Sequence, residues 1–271
     1  MTDLRLSASM PMLPSWDLAR CAERLAGLGF AGIGVTRSAV EALGRRASVA
    51  ALSASGLAVA NYQQVDMFDV VTPARIDRAR VLDDLDLAAE IGADCVYALA
   101  GPRGALAWND AAGRLVEQIH DLLPELRGRR LRLALEPIHP LRQDLTFLSC
   151  LADVIDVLDL VDSPECGFVL DTWHVWWQRD VIDVIAANGP RMFSLQLSDH
   201  KPITLRTLDR AQLGDGIIPW GDLLNSIRAS GYGGFFELEI ISDDNEHVAY
   251  EGVLGTAAEW ITSRWEPDGL R

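Results

Sequence analysis

Lysine is almost absent from this chain of 271 residues: Lys201 is the only one, and every other basic side chain is arginine. Schiff-base chemistry would therefore rest on this one residue. Lys201 follows an apolar run into a polar stretch, a poor place for a desolvated amine, which disfavours a class I aldolase. Positive charge as a whole is scarce. The formal net charge is −15, which argues against a nucleic-acid partner, because phosphate backbones need clustered Lys and Arg. The four cysteines, Cys21, Cys95, Cys150 and Cys166, form no C-x-x-C pair. That excludes a zinc knuckle or redox dithiol and leaves buried thiols in a reducing compartment. No apolar run approaches the roughly 18 residues of a membrane-spanning helix. "MTDLRLSASM" lacks the charged and apolar regions of a signal peptide. The expectation is a cytoplasmic protein with no membrane partner. Linkers, low-complexity tracts and a second-domain boundary are also missing.

Apolar residues make up 49% of the sequence and charged residues 23%, ordinary values for an enzyme with a large core. Eight short apolar or alternating runs recur: "LRLSAS" (4–9), "AGIGVT" (31–36), "LAVANYQ" (57–63), "DCVYALA" (94–100), "LRLALEP" (131–137), "CGFVLD" (166–171), "MFSLQLSD" (192–199) and "GFFELEI" (234–240). Amphipathic helical stretches lie between them, as at 16–29 and 74–92. In the second, Ile76, Ala79, Val81, Leu82, Leu85 and Leu87 approximate a helical stripe. Gly29, Gly92 and Gly231 punctuate helix ends. Eight strand-then-helix units averaging about 34 residues predict one α/β domain over 1–271, a (β/α)8 TIM barrel. An open doubly wound sheet usually carries a glycine-rich loop after its first strand; "SASMPMLPSW" is no such loop. The segment 198–219 is too long for an ordinary connection and reads as functional.

In such a barrel the C-terminal strand ends share one mouth. The last four predicted strands each bring a residue with metal-binding capacity there: Glu136, Asp171, Gln196 and Glu239. Each stands among apolar neighbours, as in "LALEP" and "FELEI". Any one of them alone is more simply a helix cap, an ion-pair partner or a hydrogen-bonding amide. Together they place three carboxylates in one apolar mouth, where they would repel and take up protons unless a cation joined them. Oxygen donors favour Mn²⁺ or Mg²⁺, with Co²⁺ also admissible; zinc prefers nitrogen and sulfur. "LDTWHVWWQRD" (170–180) adds His174 and three tryptophans, Trp173, Trp176 and Trp177. The rings either wall a pocket for sugar faces or pack the following helix.

The motifs "LALEPIHP", "VLDTWHVWW", "LQLSD", "LDRAQLGDG" and "GYGGFFELEI" resemble those of the sugar phosphate isomerase/epimerase group, with its xylose isomerase-like barrel. The likeness spans nearly the whole chain and is most specific from Leu131 to Ile241. It implies a divalent metal held by Glu, Asp, His and Glu from successive strand ends, which fall on Glu136, Asp171, Gln196 and Glu239. Gln196 departs from the family histidine, and members resembling dehydroshikimate dehydratase also carry Gln there. The resemblance further implies that His174 faces a substrate oxygen as donor or acid/base, and that Arg210 reaches substrate oxygens, with Arg206 as the competing arginine. His139 is either a second acid/base group or a loop histidine. Glu237 shares a strand face with Glu239 and is either a supporting group behind the site or half of a core salt bridge. His200 and His247 read as surface residues.

The expected chemistry is a metal-dependent isomerisation or epimerisation of a keto-sugar or related polyol through an enediolate, with Glu136 and Glu239 as the two acid/base groups. Loss of a β-hydroxyl or an aglycone from that intermediate would make the enzyme a dehydratase or lyase: dehydroshikimate dehydratase-like, keto-inositol dehydratase-like or 3-oxo-glycoside lyase. No phosphate-cradling glycine loop is evident, so the family label does not make the substrate a phosphate. Abasic-site endonucleases share the fold but need a histidine-rich zinc cluster, which five histidines and an acidic surface fit poorly. A barrel reduced to binding sugars or partners is the non-enzymatic alternative. Related barrels associate as dimers or tetramers, so a homo-oligomer is compatible with the sequence.

Overall fold

A computed structural model describes residues 4–64, 66–204, 206, 208–245 and 249–265. Eight parallel strands close into a barrel: β1 (Arg5–Ser9), β2 (Gly32–Thr36), β3 (Ala58–Gln63), β4 (Val96–Ala98), β5 (Leu133–Leu135), β6 (Cys166–Asp171), β7 (Met192–Leu197) and β10 (Phe235–Leu238). Sequence neighbours pair all the way round, and β10 closes the ring by pairing with both β7 and β1. Two two-residue strands outside the barrel, β8 (Asp199–His200) and β9 (Arg210–Ala211), pair antiparallel. The fold is the (β/α)8 TIM barrel that the strand spacing predicts. All eight predicted strands are present, mostly trimmed by one or two residues at their ends.

The helices form where capping and an apolar face coincide. In Leu18–Gly27 the Asp17 carboxylate accepts the Arg20 N–H at 2.8 Å, and Leu18, Cys21, Ala22 and Leu25 form the buried stripe. In Arg78–Glu90 Asp77 caps the start in the same way, and Val81, Leu85 and Ala88 turn inward. This helix begins four residues later than its periodicity suggests, because Pro73–Arg75 forms a separate 3-10 turn.

Two layers of packing result. The outer faces of the strands and the inner faces of the helices share one large apolar core. Inside the barrel, Cys95, Tyr97, Leu99, Ala134, Ile138, Val169 and Phe193 make a smaller apolar cluster. Much of the remaining interior is polar and buried: Ser9, Asn61, Gln63, Ser194, Gln196, Glu237 and Glu239. Alternation along β1, β3, β7 and β10 sends these side chains inward while their neighbours face the helices. The polar interior leads upward into the mouth of the barrel. No described helix is long and apolar enough to cross a membrane.

Candidate active site

Backbone pairing sets the height of each polar side chain at the mouth. Asp171, the last residue of β6, lies opposite Gln196 of β7, and Gln196 lies opposite Glu237 of β10. Glu136 and Glu239 each stand one residue beyond their strands, held by N–H bonds to Ala98 O (3.3 Å) and Leu197 O (3.0 Å). All four expected ligands are buried. Asp171 also caps the short helix Thr172–Val175, its Oδ1 accepting the Trp173 N–H at 2.9 Å. That contact orients Oδ2 away from the helix, toward the Arg210 guanidinium at 2.8 Å and His174 Nε2 at 3.7 Å.

The electrostatics are those of crowded acids. Burial, followed by Asp171 and Glu239, drives Glu136 well above the usual carboxylate range, although the Tyr97 hydroxyl donates to its Oε2. Burial also lifts Glu239 to about 7; Arg210 opposes the rise and Asp171 adds to it. One face of Glu239 is anchored by a relay in which Gln63 Nε2 donates to Ser9 Oγ at 3.0 Å and Ser9 Oγ donates to Glu239 Oε1 at 2.8 Å. Gln196 Nε2 reaches the same oxygen at 3.4 Å. Gln196 Oε1 is buried without a hydrogen-bond partner among the described residues, and Asp171 Oδ2 faces the Arg210 guanidinium. An unfilled amide oxygen beside three carboxylates suits a divalent cation, so the residues present fit the metal that the sequence resemblance implies.

His174 has a defined role in this set. Its Nδ1 accepts the backbone N–H of His139 at 3.1 Å, so the neutral ring carries its proton on Nε2, on the side of Asp171. Burial, then Arg210, holds its pKa well below the ordinary value, and the ring stays neutral. Ligand atoms of Glu136, Asp171 and His174 lie within 4.8 Å of one another. The proton on Nε2 makes His174 a hydrogen-bond donor into the site. His139 supplies that contact from its backbone, while its own Nδ1 accepts from Leu141 N at 3.3 Å.

The aromatic residues gather around the histidines. The buried Trp173 stacks on His200 (5.2 Å between ring centres, 23° between planes) and meets His174 edge-on at 5.0 Å. Trp176 is half-buried and 5.3 Å from His200, and His139 sits between Trp173 and Trp177. The indole N–H groups of Trp173 and Trp176 have no acceptor among the described residues. His200 is therefore part of this wall, which corrects its reading as a surface residue. His247 lies outside the described residues.

The long connection after β7 folds back on itself through β8 and β9, and the pairing of His200 with Arg210 returns the chain to the mouth. Asp199 holds this hairpin. Its carboxylate accepts from the N–H groups of His200 (2.8 Å), Gly214 (3.0 Å) and Ile218 (3.1 Å) and from Trp220 Nε1 (2.7 Å). A side chain at position 216 would collide with that carboxylate, so Gly216 is required there. Arg210 is consequently 1% exposed, and its guanidinium meets Asp171 Oδ2 and Glu239 Oε2, each at 2.8 Å. Arg206, the competing arginine, lies on the far part of the same loop. Its side chain is 72% exposed and paired with Asp243 at 2.7 Å, away from the cluster. Lys201 is tied to Asp209 and Asp244 at 2.7 and 2.8 Å, which keeps its amine protonated.

Tyr97, Ser9, Gln63 and Asp199 are site-supporting residues that the motifs alone do not single out. Tyr97 and Ser9 were visible only as polar residues inside apolar strands. Glu237 partners no cation among the described residues; the Asn61 amide donates to its Oε2, and burial lifts it to about 8. Gly34 makes room for this carboxylate, since a Cβ there would overlap Glu237 Oε1.

The sequence profile of the xylose isomerase-like TIM barrel family matches residues 22–264. A probable ketose 3-epimerase from Synechocystis sp. is 26% identical over 143 residues, covering 52% of this chain and 46% of that protein. The match thus spans about half the length of that relative. A protein from Sinorhizobium meliloti 1021 of solved structure is 28% identical, with a TM-score of 0.84 over 94% of this chain and 96% of its own. An IolI protein with a bound zinc atom superposes with a TM-score of 0.82 at 16% identity, over 97% of this chain and 98% of its own. Other barrels of the same fold include a 3-keto-D-glucoside 4-epimerase from E. coli and a probable 3-DHS dehydratase from Bacillus anthracis, 14% and 15% identical.

Proposed function

The chain belongs to the xylose isomerase-like TIM barrel family, and we propose that it is a divalent-metal-dependent isomerase or epimerase of a keto-sugar or related polyol, working through an enediolate. The observation that carries this reading is the convergence of Glu136, Asp171 and Glu239 with the unpartnered Gln196 Oε1 from four successive barrel strands. Mn²⁺ or Mg²⁺ suits an all-oxygen set of this kind, and Co²⁺ is admissible. Held by these four residues, such a cation would supply polarisation of a carbonyl and acidify the neighbouring C–H.

The chain's own groups handle the protons. In the metal-free site burial and neighbouring carboxylates raise the proton affinity of Glu136 and Glu239 above the ordinary carboxylate range, so either can carry a proton. One carboxylate takes the α-proton and the other returns a proton, to the adjacent carbon or to the opposite face. Tyr97 orients the first, and the Gln63–Ser9 relay orients the second. The Nε2–H of His174 is placed to donate to a substrate oxygen. The half-buried Trp176 offers a face for the apolar side of a sugar ring, with His200 and the buried Trp173 packed behind it.

The amide at position 196 supports a second reading, in which a β-hydroxyl or aglycone leaves from the same enediolate and the enzyme is a dehydratase or lyase. The test is incubation with Mn²⁺ in D₂O and a panel of ketoses, keto-inositols, 3-oxo-glycosides and 3-dehydroshikimate. At least one should incorporate deuterium at an α-carbon, with Glu136→Gln slower by about 10³-fold. The products then separate isomerase from lyase. Exchange absent throughout the panel, or equal in Glu136→Gln and wild type, would overturn enolisation.

A further inference from the structure

Arg210 stands where the family resemblance places a substrate-binding arginine, yet it has almost no exposed surface from which to meet a substrate. Its partners fall into two kinds. Nη1 donates to the Glu239 backbone carbonyl at 2.9 Å and lies 3.3 Å from Ser198 Oγ, and the Arg210 backbone N–H donates to Ile241 O at 2.8 Å. These neutral groups belong to the barrel end itself and carry no charge for a metal to draw on. Its other two partners are Asp171 Oδ2 and Glu239 Oε2, carboxylate oxygens of two expected ligands. The guanidinium is thus bolted to the scaffold and turned onto the carboxylates.

We propose that Arg210 is a fixed counter-ion of the acidic cluster: a positioning residue that keeps Asp171 and Glu239 in place in the metal-free protein and weakens metal binding by sharing their charge. This rests on the reading of the cluster as a metal centre. A bound divalent cation and the guanidinium draw on the same two carboxylates, and Arg210 cannot withdraw without breaking its bonds to Glu239 O and Ser198. The affinity for metal is accordingly set below what three carboxylates and an amide would otherwise give. Without Arg210, and without metal, three buried carboxylates would face one another uncompensated.

The experiment compares Arg210→Met, Arg210→Lys and the double variant Arg210→Met/Glu239→Gln in the full chain. It reads Mn²⁺ affinity by titration calorimetry and thermal midpoints in EDTA at pH 8. Arg210→Met should bind Mn²⁺ about tenfold more tightly than wild type and melt roughly 5–10 °C lower in EDTA. Arg210→Lys, which keeps the charge, should lie much nearer wild type in both. Adding Glu239→Gln should restore most of the EDTA midpoint lost in Arg210→Met, a coupling that lost packing would not produce. The proposal is overturned if Arg210→Met leaves the EDTA midpoint unchanged with Mn²⁺ binding equal or weaker. Equal damage from Lys and Met, or no recovery in the double variant, overturns it as well. Wild type that binds no Mn²⁺ would remove the metal-centre reading, while the EDTA comparison would still decide whether Arg210 acts as counter-ion.

Discussion

Two sets of buried carboxylates in this molecule are built in opposite ways. Asp84, on the helix Arg78–Glu90, is 2% exposed and surrounded by donors: Tyr62 Oη at 3.0 Å, Gln64 Nε2 at 2.5 Å and the Arg37 guanidinium. One acid there meets three donors, and both of its oxygens are used. At the mouth of the barrel, Asp171 and Glu239 share one guanidinium, Glu136 has the Tyr97 hydroxyl, and Gln196 Oε1 beside them goes unused. Burial alone therefore does not mark a functional acid, since Asp84 is as deeply buried as Glu136. The distinguishing feature is the ratio of donors to acceptors. A saturated carboxylate is a structural joint, whereas a deficit of donors reads as a place for a ligand.

The comparison breaks most sharply if neutralising one acid from each set has the same effect. Asp84→Asn should lower stability by about 3 kcal/mol, because Arg37 loses its countercharge and an amide NH2 replaces one of the two acceptor oxygens. Glu136→Gln, measured in EDTA at pH 8, should instead raise stability by about 1 kcal/mol by relieving repulsion. Chemical denaturation of both variants checks the two signs. If both destabilise alike, the mouth is a structural network like that of Asp84.

A change of pH should sharpen the same contrast. Glu239 and Glu237 have folded pKa values lifted to about 7 and about 8 from an ordinary value of 4.5. The folded metal-free protein thus holds protons that the unfolded chain has released. That stabilisation is complete at about pH 4 and is lost as pH rises through 7 to 8, an effect of about 3 kcal/mol for Glu239 alone. A bound cation displaces the proton from a ligand, so the loss should shrink markedly in Mn²⁺. Thermal midpoints from pH 5 to 8.5, with EDTA and with Mn²⁺, test this; parallel curves would contradict it.

The smallest expected effect is at Arg206. Its exposed pair with Asp243 is worth little in water, and its side chain points away from the cluster. Arg206→Ala should keep kcat/KM within about twofold on any substrate the panel identifies; a tenfold loss would mean that the loop closes over substrate.

Much of this organisation was legible in one dimension. The strands are readable because apolar alternation survives whatever they pack against, and Glu136, Asp171, Gln196 and Glu239 stand out as polar residues inside that pattern. Their convergence follows from counting strands, since a barrel of parallel strands brings every C-terminal end to one mouth. Asp84 was not legible, because an acid among Leu82, Leu85 and Leu87 on an amphipathic helix looks like an ordinary solvent-facing residue. Its partners Arg37, Tyr62 and Gln64 come from other units of the barrel, and only packing brings them together. The tautomer of His174 was equally hidden, resting on a single backbone N–H at His139.

The two arginines of the long loop show where the sequence by itself stops. Arg206 and Arg210 are four residues apart in a polar stretch and offer the same chemistry. The sequence determined the barrel, the acids at its mouth and the presence of a loop above them, because periodicity and strand count act locally and repeat. Only the tertiary structure decided which arginine enters: Asp199 gathers the loop around itself, and the pairing of His200 with Arg210 sends one guanidinium into the acids while the other stays in water. A choice that depends on contacts between distant residues leaves no periodic trace in the chain.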